Sequence, residues 1–208
     1  MPAVGHKHCA LVFLDPRTPI LGRLQERLVL SPMTNFSQSP PDVSESGPAF
    51  ARYIALVPQG AIITVLEQQL DEVQSLLGGL TESQALTLHP PYTWTIKQVI
   101  GHLIDCERIF GYRALRFARN DPTPLAGFDE NDYASNVDFN AFPLAELSAE
   151  FENVRRSHIW FFRHLEDQAW IRTGVANDNT LSVRALAYVI GGHTRHHVSI
   201  IRKRLAAG

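Results

Sequence analysis

The sequence predicts an all-α protein, a four-helix bundle preceded by a poorly structured N-terminal extension. Three observations lead there. Apolar residues recur at three-and-four spacing in four long windows, Pro, Gly, Asn and Asp cluster between those windows, and strand signals are weak throughout. A chain of 208 residues is enough for one medium domain with a substantial core.

The first fifty residues do not share the pattern. Eight of the thirteen prolines lie at or before Pro58, and Ser37 to Gly47 is a Ser/Pro/acidic stretch with little apolar surface to bury. Residues 1–50 therefore read as an extension, disordered or loosely packed, and residues 51–208 as the bundle domain. Met33 is an alternative translation start, which would make residues 1–32 no part of the cellular protein.

From Ala61 the helical pattern is continuous. Ile62, Val65, Leu66, Gln69, Leu70, Val73, Leu76 and Leu77 line one face, and Gly78-Gly79 ends the run. Thr95 with Gln98 has the spacing of a capping box and opens a helix expected to reach about Arg119. Its apolar face carries Ile96, Val99, Leu103, Cys106, Phe110, Ala114 and Phe117, and Asp121-Pro122-Thr123-Pro124 stops it. A long Asp/Asn/Gly-containing loop, Leu125 to Pro143, follows; loops of this length are functional or mobile. Leu144 to about Leu165 forms the third helix, with Leu147, Phe151, Val154, His158, Phe161, Phe162 and Leu165 inward. After the turn Asn177-Asp178-Asn179, Ser182 caps a last helix that runs to about Leu205.

Bulk composition narrows the function. The chain is 45% hydrophobic and 19% charged, with net charge -2 and a pI near 6.5, which gives no electrostatic reason to bind nucleic acid or an anionic membrane. No apolar run approaches the roughly 18 residues of a membrane span. The two cysteines, Cys9 and Cys106, form no disulfide framework, as expected in a reducing compartment. Residues 10–14 are apolar like a short signal core, but Asp15 and Pro16 follow at once. A cytoplasmic protein is expected.

The most informative residues are His193 and His197 in Gly-Gly-His-Thr-Arg-His-His-Val. Four residues make about one helical turn, so both imidazoles can reach one point. Val183, Leu186, Ile190, His193, His197 and Ile201 share a band of about 80°, so the pair occupies positions where Leu or Ile belongs. His196 falls about 60° beyond His193. Imidazoles on a core stripe need hydrogen-bond partners or a metal. A third ligand has to come from another helix. On spacing alone His102, His158 and His164 compete for that place, and His6 and His8 lie in the unpatterned extension.

The segments 51–58 (ARYIALVP), 94–103 (WTIKQVIGHL), 127–130 (GFDE) and 192–197 (GHTRHH) together resemble the DinB-like superfamily, which includes bacterial thiol-dependent transferases. The resemblance covers about Tyr53 to Leu205. It implies a four-helix bundle with one divalent metal ion, Zn or Ni, held by His102, His193 and His197, and it implies a homodimer. The family's Arg-Gly-Gln after the last ligand is Val198-Ser199-Ile200 here, which weakens the transfer of any one member's substrate.

Three neutral imidazoles leave the charge of a divalent ion intact and a coordination position open, the pattern of catalytic rather than structural zinc. Two chemistries follow, hydrolysis with an activated water or transfer of an activated thiol to a small electrophile. The resemblance favours the second, with a low-molecular-weight thiol as cosubstrate. The alternative is a non-catalytic, metal-stabilised binding or stress-response protein. No catalytic base is identifiable: Asp105, Glu107, Asp129 and Glu130 each read as solvated surface carboxylates or members of helix-surface ion pairs. Tyr133 is a candidate for orienting substrate, Cys106 reads as a packing residue, and Trp94, Trp160 and Trp170 as packing or sealing the bundle.

Overall fold

A computed structural model describes residues 35–37 and 39–207. His6, His8, Cys9 and the proposed start at Met33 lie outside them. Eight α-helices are present among the described residues. The four long ones are α2 (Ile62–Gly78), α4 (Ile96–Ala118), α6 (Leu144–Arg163) and α8 (Val183–Ala207), so each expected helix is present to within two residues at its ends. The short ones are α1 (Pro48–Ile54), α3 (Glu82–Leu86), α5 (Glu130–Ser135) and α7 (Asp167–Trp170). No helix among the described residues is long and apolar enough to cross a membrane.

The capping signals form as the sequence implies. Thr95 Oγ1 accepts from the Gln98 amide at 3.1 Å, while Gln98 Oε1 accepts from the Thr95 amide at 2.9 Å. Ser182 Oγ accepts from the Ala185 amide at 2.9 Å and starts α8. Such caps satisfy first-turn N–H groups that have no partner within the helix.

Both α2 and α4 pack against α6 and α8, so α2 lies diagonally across the bundle from α4, and α6 from α8. Two apolar clusters fix the helix directions. One joins Ile62–Leu66, Phe110–Ala118, Ile159–Leu165 and Val183–Ile190; the other joins Leu70–Leu77, Ile96–Ile104, Leu144–Phe151 and Val198–Ile201. Thus α2 and α8 run one way, and α4 and α6 the other. The neighbours α4 and α6 are parallel, so the chain between them must return along a helix roughly 35 Å long.

That requirement accounts for the long loop, which is held in place along its course. Leu125 N–H donates to Val175 O at 2.9 Å, and Asp129 Oδ1 caps α5 by accepting from Asn131 at 2.8 Å. Near the far end, Lys97 Nζ donates to Phe142 O at 2.7 Å.

Two features depart from the sequence expectation. Thr173–Ala176 (β1) and Asn179–Ser182 (β2) form an antiparallel hairpin. Asn177 and Asp178, with φ of 50° and 58°, make its two-residue turn, a conformation that suits right-twisted strands and that Asn and Asp tolerate. Also, packing begins before residue 51. Phe36 and Phe50 lie against the core, and Glu45 pairs with Arg184 and accepts from Ser182 Oγ at 2.7 Å.

Candidate functional site

The antiparallel packing of α4 on α8 brings His102 opposite His193 and His197. His102 Nε2 and His197 Nε2 each lie 3.2 Å from His193 Nε2, and the ligand atoms of all three rings fall within 4.8 Å of one another. Nitrogens on one face of a tetrahedral zinc site, at 2.0–2.1 Å from the ion, are about 3.3 Å apart. The spacing and the all-imidazole donor set therefore fit a divalent cation. A neutral imidazole has only one N–H, so His193 cannot donate a full hydrogen bond to both neighbours.

Burial lowers the proton affinity of all three rings. His102 falls to about 4, with the Glu130 charge offsetting part of the effect, and His197 to about 3. His193 lies well below the usual imidazole range, through burial and its histidine neighbours. Neutral rings are the ligating form.

Aromatic rings hold the cluster. Tyr53 meets His193 edge-on at 5.2 Å, Phe110 meets it at 5.9 Å, and Trp94 leans on His102 at 5.2 Å. Gly192 permits the first of these contacts, because a Cβ there would sit 1.9 Å from the Tyr53 carbonyl oxygen. Gly101 likewise makes room beside His102 for the Phe139 ring.

Behind the cluster, Arg155 ties the four long helices together. Fully buried, it pairs with Glu107 on α4 and donates to Leu66 O and Gln69 Oε1 on α2, both at 3.3 Å. It also donates to Thr194 Oγ1 on α8 at 2.8 Å. Glu107 contacts His158 Nδ1 at 3.0 Å as well. Burial alone would raise the Glu107 pKa, but Arg155 and His158 together hold it down to about 2. Gln69 Nε2 donates to Gly191 O at 2.8 Å, bracing the helix just ahead of His193.

The histidines face a cleft of about 370 Å³. Its wall includes Arg52, Phe110, Arg113, Phe128 and Glu130. Of the rival histidines, His158 is spent on Glu107, while His164 stacks on Trp160 at the exposed end of α6. His196 lines the cleft but stands outside the convergent trio. Cys106 is buried with Sγ 3.7 Å from His102 Nδ1, and burial pushes its thiol pKa far up.

Several expectations need correction. Glu107 is no surface carboxylate but the buried partner of Arg155. Trp160 is 57% exposed rather than packed inside, and Tyr133 packs on Phe128 outside the cleft wall. Asp105 and Asp129 keep the expected surface reading, Asp105 lying 3.9 Å from Arg108 on the helix surface and Asp129 capping α5. Arg113 and Arg52 received no functional reading, although Arg113 follows His102 by eleven residues, three turns along one helix face.

The chain is similar to YfiT of Bacillus subtilis (strain 168), a protein named as a candidate metal-dependent hydrolase. The two are 24% identical over 143 residues, or 67% of this chain and 79% of YfiT. The solved structure of YfiT, described as having an unusual four-helix bundle topology, matches with a TM-score of 0.64 and 19% identity. It covers 83% of this chain and 99% of that one. At that identity the structural match speaks for the fold alone. The DinB superfamily model matches residues 65–201, a span that runs from the first turn of α2 past all three clustered histidines. By this match and its four-helix fold, the chain belongs to the DinB superfamily.

Proposed function

We propose that the cleft is the active site of a metal-dependent enzyme. In this reading His102, His193 and His197 hold one divalent cation, Zn or Ni, and the reaction transfers a low-molecular-weight thiol to a small electrophile or hydrolyses a related substrate. The observation that carries it is the convergence of three neutral imidazole nitrogens on the wall of an open cleft. A cation bound there would acidify a water or thiol, supplying a nucleophile at neutral pH.

The chain's own residues supply the remaining functions. Tyr53, Trp94 and Phe110 pack on the imidazole rings and fix their planes. Glu130 is the carboxylate of the cleft wall, and its charge reaches His102. We assign its carboxylate oxygens the role of accepting the proton that the nucleophile gives up. Cys106 is left as packing beside His102, since it is buried and burial raises its thiol pKa. The name given to YfiT supports hydrolysis, and the sequence resemblance to thiol-dependent transferases supports transfer.

The test is a panel of low-molecular-weight thiols crossed with alkyl halides, epoxides and esters, run on metal-loaded protein. Thiol-dependent or hydrolytic turnover that disappears in His197→Ala is expected. Absence of turnover across the whole panel, with metal bound, would leave the non-catalytic reading in its place.

A further inference from the structure

Arg113 is only 3% exposed, yet no carboxylate pairs with it among the described residues. Among the described residues its one protein hydrogen bond is from Nη2 to Ala126 O at 3.0 Å, which leaves most of the five guanidinium N–H donors without an acceptor there. A buried charge in that condition is costly unless a partner arrives.

The guanidinium is also held in place. It lies 6.0 Å from the centre of the Phe110 ring and 5.9 Å from that of Phe128, and all three residues line the cleft. Phe110 in turn lies 5.9 Å from the His193 ring. The guanidinium is therefore at most about 12 Å from that imidazole, measured through a shared aromatic neighbour. The exposed Arg52 adds a second positive charge to the wall, against the single carboxylate of Glu130. The Glu130 charge is felt at His102, and Cys106 lies within electrostatic reach of both Glu130 and Arg113, yet Glu130 forms no ion pair with Arg113 among the described residues. Burial lowers the proton affinity of Arg113, as expected for a cation that lacks a counter-ion.

We propose that Arg113 anchors a carboxylate on the small molecule that reacts at the histidine cluster, so that the substrate class is an extended, anionic one. The inference rests on the reading of the cleft as a metal-dependent active site. A guanidinium fork matches a carboxylate in two parallel hydrogen bonds. Held within about 12 Å of the His193 ring but not on it, such a contact contributes binding energy and orientation without touching the chemistry.

The test uses cobalt(II)-loaded protein and two probes, 6-mercaptohexanoate and its carboxamide. Their thiol is read by the thiolate-to-cobalt absorption band and their affinity by titration of that band. The acid should bind about ten- to a hundredfold more tightly than the amide, the value of a charge-assisted hydrogen-bond pair. This preference should shrink to within about threefold in Arg113→Gln and survive in part in Arg113→Lys. Equal binding of acid and amide, with the band present for both, would overturn the role of Arg113 and leave the metal site standing. A preference that persists in Arg113→Gln would overturn it equally. Absence of the band with either probe would instead count against the metal-site reading. Calorimetry on metal-free protein with hexanoate and hexanamide then still decides the role of Arg113: preference for hexanoate supports it and indifference refutes it.

Discussion

His193 sits between its two partners, with both other imidazole nitrogens 3.2 Å from its own. Replacing His102, His193 or His197 with Ala should each reduce bound metal from one ion per chain to nearly none, read by elemental analysis. His196→Ala should keep it, since that ring lies outside the trio. Equal loss in all four variants would contradict this assignment. Cys106→Ala should retain the metal and lose on the order of 1–2 kcal/mol of stability, because the residue serves as buried packing. Spacing alone made His193 and His197 legible, for they take stripe positions on one helix. The partner helix could not be read that way: His102 came from resemblance, and its selection over His158 becomes physical only once Glu107 is seen to occupy the latter. Arg113 was invisible because an arginine on a helix face ordinarily reaches solvent. The Ala126 and Phe128 segment of the loop covers it, and that is a tertiary fact.

Among the elements, α6 carries the buried cation that joins it to the other three long helices. Removing one member of the Arg155–Glu107 pair leaves the other charged and buried, a change that costs about 3–5 kcal/mol. Glu107→Gln and Arg155→Met should each show that loss in urea unfolding, and the double variant should lose less than the sum. The pH dependence follows from the lowered carboxyl. Glu107 falls from the ordinary 4.5 to about 2 in the folded chain, so its contribution is complete above pH 4.5 and declines as the pH drops from there toward 2. A urea midpoint that falls between pH 5 and pH 3, and falls less in the double variant, is the expected result. In the hairpin, Asp178 has φ of 58°, so Asp178→Gly should raise thermal stability by up to about 1 kcal/mol and Asp178→Val should lower it. Each strand is only four residues long, too short for alternation to stand out from its surroundings, and the turn pair was legible only as polar.

At the scale of the whole molecule, the periodicity of four windows identified the helices and their faces. It could not tell that α4 and α6 run parallel, because facing order depends on which apolar stripes find each other. The long loop was the available clue, since adjacent parallel helices need a return connection and antiparallel neighbours do not. The three histidines come from two antiparallel helices, so a bound cation ties α4 to α8 and favours the folded state over the unfolded one. Chelation should therefore lower the unfolding temperature. At free metal a hundred times Kd the linkage is about 2.7 kcal/mol, or roughly 5–10 °C for a chain of this size by scanning calorimetry.

The account turns on one metal held by imidazole from both helices. X-ray absorption at the metal edge tests it most directly, on untagged protein purified without added metal. The proposed site predicts one divalent ion per chain, zinc or nickel, with three imidazole nitrogens in the first coordination shell at about 2.0–2.1 Å for zinc. No bound metal, a sulfur ligand from Cys106, or fewer than three imidazoles would contradict it.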